Sequence, residues 1–166
     1  FNYPSSRNLS YPFETLLELF EKVPTIKAIK DWSNEPMLHE KHIKTFQNLP
    51  NPVNVLTTHS SWLMSSLVMG AKGLLSGAGS VIASLQVDLF FSIKNKDLET
   101  AQKINEKIYP LVQAFYAPPF LDMHNRMKET LVLLGIMDKA VVRPPLMKLS
   151  EKEINSLRQA ISLSGL

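Results

Sequence analysis

The chain has 166 residues, 45% of them hydrophobic, which suits one domain with a sizeable core. Its 18 basic and 15 acidic residues give a net charge of +3, and the basic residues form no run, so we expect no nucleic-acid partner. The absence of cysteine excludes disulfides, thiolate chemistry and cysteine-ligated zinc, and it fits a reducing compartment, so we expect a cytoplasmic protein.

Short β-like runs alternate with helical patterns in the first part of the chain. In chain order, the predicted elements are a helix at 12–22, a strand at 25–30, a helix at 35–47, a strand at 53–58, a helix at 59–69, a strand at 72–79 and a helix at 80–93. Such alternation predicts βα units and a parallel sheet. Two architectures fit this pattern: a small open parallel sheet, or part of a (β/α)8 barrel, which takes about 250 residues in full.

The second part of the chain is predicted to be helical. Helices are expected at 97–115, 121–134 and 150–162, and Ser150 with Glu153 forms a capping-box pattern. His124 and Arg126 are expected on the protein surface. The chain thus divides into residues 1–95, built of βα units, and residues 96–166, a helical extension of the same domain.

A weakly charged stretch between Asn51 and Val87 contains Lys72 as its one charged residue. A membrane span needs about 20 mostly apolar residues, whereas this stretch is rich in Ser, Thr and Gly. Buried strands and helices explain it better, and we expect no membrane partner.

Two lysines, Lys27 and Lys30, lie in the first predicted strand and face opposite sides of the sheet. Lys30 is at the carboxyl end, where α/β folds place their active sites, and it shares its face with Ile26 and Ala28. Desolvation lowers the pKa of a lysine, whose free amine can then attack a ketone. The alternative is a strand-end lysine that reaches solvent or pairs with Asp31.

A second group of titratable residues is the histidine pair His39 and His42, three residues apart on a helix rich in charge. The pair could share a metal ion, but "HEKH" is one residue short of the zinc-protease pattern H-E-x-x-H. We interpret it as a solvated helix face and expect no metal.

Several segments together resemble the dihydrodipicolinate synthase and N-acetylneuraminate lyase family. "VPTIKAIKDWS" is similar to the strand that carries the family's Schiff-base lysine, with Lys30 in its place, and "FNYPSSR" resembles the family's Tyr-Asn-x-Pro segment. "VNVLTTHSSWLMSSLVMGAKGLLSGAGSV" is similar to the next two strands and the helix between them. "DLETAQKINEKIYPL", "MKETLVLLGI" and "VVRPPLMKLS" resemble the C-terminal helical region.

The resemblance implies the C-terminal half of a (β/α)8 barrel, about strands 5–8, followed by C-terminal helices. It implies a class I aldolase or lyase that acts on pyruvate or a related 2-oxo acid without a cofactor or metal, usually as a homotetramer. We therefore expect four further βα units upstream and a homo-oligomer that covers the unpaired strand edges.

Site residues follow from the resemblance position by position. Lys30 forms the imine; Phe1 stands where the family has its proton-shuttling tyrosine, and Tyr3, two residues on, is the candidate replacement. The implied substrate-binding residues are Arg7, His59, Ser76, Gly77 and Ala78. Phe1 has no hydroxyl group, which keeps open an alternative: a truncated, non-catalytic member that acts as an oligomerisation or structural module.

Overall fold

Residues 1–4 and 8–166 are described by a computed structural model of the chain. They divide into two units, Phe1–Ser76 and Gly77–Leu166. The helix predicted at 80–93 belongs to the second unit, and the domain boundary expected after residue 95 stays a prediction. Within the described residues, no helix has both the length and the apolar character that crossing a membrane requires.

A parallel three-stranded sheet organises the first unit. Its strands, in the order β1-β2-β3, are β1 Ala28–Asp31, β2 Asn54–Thr57 and β3 Gly73–Leu74. The helices between and before them are α1 Phe13–Lys22, α2 Pro36–Phe46 and α3 Leu63–Met69, with a short 3-10 helix Ser60–Trp62 ahead of α3. This alternation confirms the predicted βα pattern and its parallel pairing.

The strands are shorter than predicted, above all the third, which has only two residues. Leu75 still donates its backbone N–H to the Thr57 carbonyl oxygen at 2.8 Å. The chain then reaches "SGAG", whose small residues continue no strand pairing. On the other edge, Asn2 forms a parallel bridge with Asp31, so β1 is flanked on both sides.

The two faces of the sheet differ in burial. Ile29 and Asp31 of β1 and Val55 and Thr57 of β2 are buried, because side chains alternate along a strand and this face packs on the helices. On the opposite face Ala28 is exposed and Lys30 is half-buried. The helix side has an aromatic centre at Phe46, which is completely buried.

The second unit is helical, as predicted. It contains α4 Gly79–Lys94, α5 Leu98–Phe115, α6 Met123–Leu133 and α7 Glu151–Ser164, with a 3-10 helix Phe120–Asp122 before α6. Helix α5 packs against both α4 and α7, and α6 packs against α7. The capping box is confirmed: Glu153 donates its backbone N–H to Ser150 Oγ at 3.3 Å, and Ser150 donates its own N–H to Glu153 Oε2 at 3.3 Å.

Arg126 anchors the loop between α5 and α6, which corrects its expected surface position, whereas His124 is exposed as expected. The Arg126 guanidinium is buried among backbone carbonyl oxygens and one carboxylate. Its five N–H donors, arranged in a planar fork, can bind several of these acceptors at once. The acceptors are the carbonyl oxygens of Phe115, Ala117, Pro118 and Pro119 and the Glu153 carboxylate.

Candidate functional site

Lys30 lies one residue before the end of β1, on the exposed face of the sheet. Its strand is held on one side by the register Lys30–Leu56 with β2. On the other side Asn2 donates its N–H to the Lys30 carbonyl oxygen at 2.9 Å and accepts from the Trp32 N–H at 2.9 Å. The backbone under Lys30 is therefore fixed by pairing on both sides.

An aromatic cluster of Phe1, Tyr3 and Trp32 stands beside Lys30. The Lys30 ammonium nitrogen lies 4.2 Å from the centroid of the Phe1 ring, within the range of a cation–π contact. The Phe1 and Tyr3 ring centroids are 4.3 Å apart, and those of Tyr3 and Trp32 are 5.3 Å apart. Tyr3 thus belongs to the same aromatic cluster that stands beside Lys30, and its role as a proton shuttle stays a prediction.

Partial burial lowers the pKa of Lys30, because desolvation disfavours the ammonium form. The alternative pairing with Asp31 is wrong, since Asp31 lies on the opposite, buried face and accepts hydrogen bonds from two histidines. The Lys30 amine therefore has an aromatic neighbour and no carboxylate contact among the described residues.

The histidine pair on α2 is buried, so the prediction of a solvated helix face is wrong. His39 Nδ1 lies 2.7 Å and His42 Nδ1 lies 2.8 Å from Asp31 Oδ2. Because a carboxylate only accepts, both rings donate their Nδ1–H groups. Burial by itself raises the pKa of Asp31, but the hydrogen bonds from His39 and His42 outweigh it and hold the pKa well below its usual range. His39 Nε2 in turn meets Ser66 Oγ at 2.7 Å.

His59 joins this buried group rather than the face of Lys30. Its ring stacks on Trp62, with centroids 4.0 Å apart, and meets the His39 ring edge-on at 4.8 Å. Neither of its ring nitrogens has a hydrogen-bond partner among the described residues. Burial, with a smaller contribution from His39, lowers the pKa of His59 to about 4, so the ring is neutral at pH 7.

The remaining predicted site residues are distributed over the end of the first unit and the start of the second. Ser76 closes the first unit, and its Oγ lies 2.7 Å from Ser60 Oγ. Gly77 and Ala78 open the second unit, where Ala78 is completely buried. Arg7 lies outside the described residues. Substrate contact by these residues stays a prediction.

Comparison with known proteins shows the family to which the chain belongs. The model of the dihydrodipicolinate synthetase family matches residues 1–164. The chain belongs to this family. It is 28% identical over 162 residues to a 4-hydroxy-tetrahydrodipicolinate synthase of Bacillus velezensis, covering 98% of this chain and 53% of that relative.

Solved structures of family members have the same fold over about half of their length. A monomeric dihydrodipicolinate synthase variant is similar with a TM-score of 0.89 and 21% identity, over 99% of this chain and 54% of that chain. N-acetylneuraminate lyase from Fusobacterium nucleatum has a TM-score of 0.76 and 22% identity, over 92% and 50%. The chain spans about half the length of the relatives it matches, and the predicted fold class is confirmed.

The buried group of Asp31 and three histidines was missed by the sequence analysis. A signal for it exists: His39, His42, Ile43 and Phe46 share one helical face, and the last two are apolar and buried. The charged residues of α2 lie between them and suggested a solvated helix. Only the packing of α2 across the sheet brings Asp31 against that face.

Proposed function

We propose that this chain supplies the Schiff-base lysine of a lyase or aldolase that acts on pyruvate or a related 2-oxo acid. The observation that carries the proposal is Lys30 itself: half-buried, at the carboxyl end of a parallel strand, with an amine that contacts an aromatic ring and no carboxylate among the described residues. Membership of the dihydrodipicolinate synthetase family supports the same assignment.

In the proposed reaction the neutral Lys30 amine attacks the ketone carbon of the 2-oxo acid. The carbinolamine loses water and leaves a protonated imine, which withdraws electrons as a C–C bond beside it forms or breaks. Hydrolysis of the imine returns the amine and releases the product. A lowered lysine pKa favours the first step, because only the unprotonated amine is nucleophilic.

Tyr3 is the proposed proton shuttle, in place of the hydroxyl that Phe1 lacks. Its ring lies against the Phe1 ring, which itself contacts the Lys30 amine. Arg7, Ser76, Gly77 and Ala78 are proposed to contact substrate on the strength of the family resemblance. His59 is left out of the proposed site, because it is buried with the histidines on the opposite face of the sheet.

This chain spans about half the length of its relatives. The reaction direction and the second substrate are therefore questions about a complete family member rather than about this chain alone. Relatives include a synthase and an N-acetylneuraminate lyase, so both bond formation and bond cleavage are within the proposal. We also propose a homo-oligomer that covers the sheet edges, although one structural relative is a monomeric variant.

The test is reductive trapping: the chain is incubated with pyruvate and borohydride, digested with trypsin and mapped by mass spectrometry. Alkylation of Lys30 blocks cleavage there and yields a modified peptide covering residues 28–41, whereas alkylation of Lys27 blocks the preceding site. Lys27 is exposed and three residues away, so it is an internal control for non-specific reductive alkylation.

Selective modification of Lys30 supports the proposed imine chemistry. Equal modification of Lys27 and Lys30, or none in a folded sample, favours the alternative of a non-catalytic structural module. If Lys30 is not modified, the experiment is repeated with a chain that includes upstream sequence. Modification that then appears shows that the imine requires residues outside this chain, and continued absence shows that Lys30 is not a nucleophile.

A further inference from the structure

We propose that Asp31, His39 and His59 bind a divalent transition-metal ion of the zinc type, with His42 and Ser66 orienting the ligands. The site is separate from the Lys30 amine and lies on the helix-covered face of the sheet. It goes beyond the proposed imine chemistry and does not depend on it.

The donor set is the first argument. Asp31, His39 and His59 each offer one ligand atom, and these atoms all lie within 4.8 Å of one another. All of these side chains are at most 2% exposed. Imidazole nitrogens with one carboxylate oxygen are the ligands that zinc takes in proteins, whereas calcium and magnesium prefer all-oxygen sites.

Unpartnered nitrogens are the second, independent argument. Both ring nitrogens of His59 and the Nε2 atom of His42 are buried without a hydrogen-bond partner among residues 1–4 and 8–166. A buried polar atom that has lost its water and gained no partner destabilises the fold. The His59 ring stacks on Trp62 and meets the His39 ring edge-on, so it lies among buried side chains rather than facing solvent. A metal ion would satisfy one nitrogen of His59.

The hydrogen bonds around the cluster are those that a metal site needs. If Nδ1 of His39 binds the metal, its proton moves to Nε2, where Ser66 Oγ accepts it over the observed 2.7 Å. His42 keeps donating Nδ1–H to Asp31 Oδ2 and orients the carboxylate. No proton is gained or lost in this rearrangement, because one tautomer of His39 replaces the other.

The required movement is small. Metal–ligand bonds of about 2.0–2.2 Å place tetrahedral ligand atoms about 3.4 Å apart. Ring rotation of His59 and a short approach of its neighbours close the difference from 4.8 Å. A bound ion would tie the end of β1 to α2 and to the turn after β2, immediately behind the strand residue that carries the amine.

The test uses the complete chain, stripped with chelator and titrated with Zn²⁺, with bound metal counted by elemental analysis and the melting temperature followed. We expect one zinc per chain and a melting temperature that rises with zinc. His59→Phe keeps an aromatic ring against Trp62 and removes the nitrogens; it should weaken binding more than tenfold, as should Asp31→Asn. His124→Gln, at the one exposed histidine of the four, should bind zinc as the wild type does.

Cobalt provides a measurement that needs no variant. Wild-type protein loaded with Co²⁺ should show the strong visible absorption of a tetrahedral nitrogen–oxygen site, and Zn²⁺ should abolish it. The proposal is overturned if the wild-type chain binds no zinc at micromolar concentration. It is also overturned if binding survives His59→Phe or is lost in His124→Gln.

Discussion

Replacing Lys30 by methionine tests whether this lysine serves catalysis or the stability of the fold. The change removes the contact between the amine and the Phe1 ring, which is worth about 0.5–1 kcal/mol at a partly exposed position. It also removes the desolvation that lowers the lysine pKa, and the methionine sulfur can pack on the same ring for about 0.3–1.5 kcal/mol. These effects nearly cancel, so we expect the free energy of unfolding to change by less than about 1 kcal/mol.

The assay combines thermal unfolding with the borohydride experiment on the same preparation. For a chain of this length, about 1 kcal/mol corresponds to a shift of roughly 2–4 °C in melting temperature. Trapping with pyruvate, in contrast, should disappear in Lys30→Met. Lys27→Met is the matched control: its side chain is exposed, so both stability and trapping should stay at the wild-type level.

Two results would refute this reasoning about Lys30. A loss of about 3 kcal/mol or more in Lys30→Met would mean that the amine makes a buried contact essential to the fold. Trapping that persists in Lys30→Met but is lost in Lys27→Met would identify Lys27, not Lys30, as the nucleophile.

Further predictions concern the helical unit. Arg126→Met should cost about 3–5 kcal/mol, because it leaves buried carbonyl oxygens without their donor and removes one hydrogen bond to the Glu153 carboxylate. Arg158→Met, at an exposed position, should change the free energy of unfolding in denaturant by less than about 0.5 kcal/mol. Ser150→Ala should cost about 1 kcal/mol through loss of the capping box, and Ser156→Ala in the same helix should be near neutral in the same titration. Burial raises the pKa of Glu153, but hydrogen bonds from Arg126 and Ser150 outweigh it and the net pKa is lowered from 4.5. Its stabilising contribution is therefore complete above about pH 4.5 and lost as pH falls through the lower folded-state pKa. Glu153→Gln should reduce the loss of folding stability at acid pH. An unchanged dependence of stability on pH would contradict the assigned hydrogen bonds.

The helices and strands of both units could be predicted from the sequence because they depend on residues that are near one another in the chain. Alternation of strand and helix runs indicated a parallel sheet, and the Ser150–Glu153 spacing indicated a helix start, each of which the structure confirms. Strand lengths were overestimated, since pairing with neighbours decides where a strand ends. The surface position expected for Arg126 was wrong, because a sequence does not reveal a cage of backbone carbonyls.

The sequence by itself determined the family, the strand that carries Lys30 and the side of the sheet on which the lysine lies, because alternation along a strand and the order of motifs are one-dimensional information. Tertiary structure alone decided the partners of Asp31. Its carboxylate meets His39 and His42, eight and eleven residues away, and His59 joins them from the turn after β2. Such a cluster depends on how a helix packs across a sheet, and the charged residues of α2 concealed it by facing solvent.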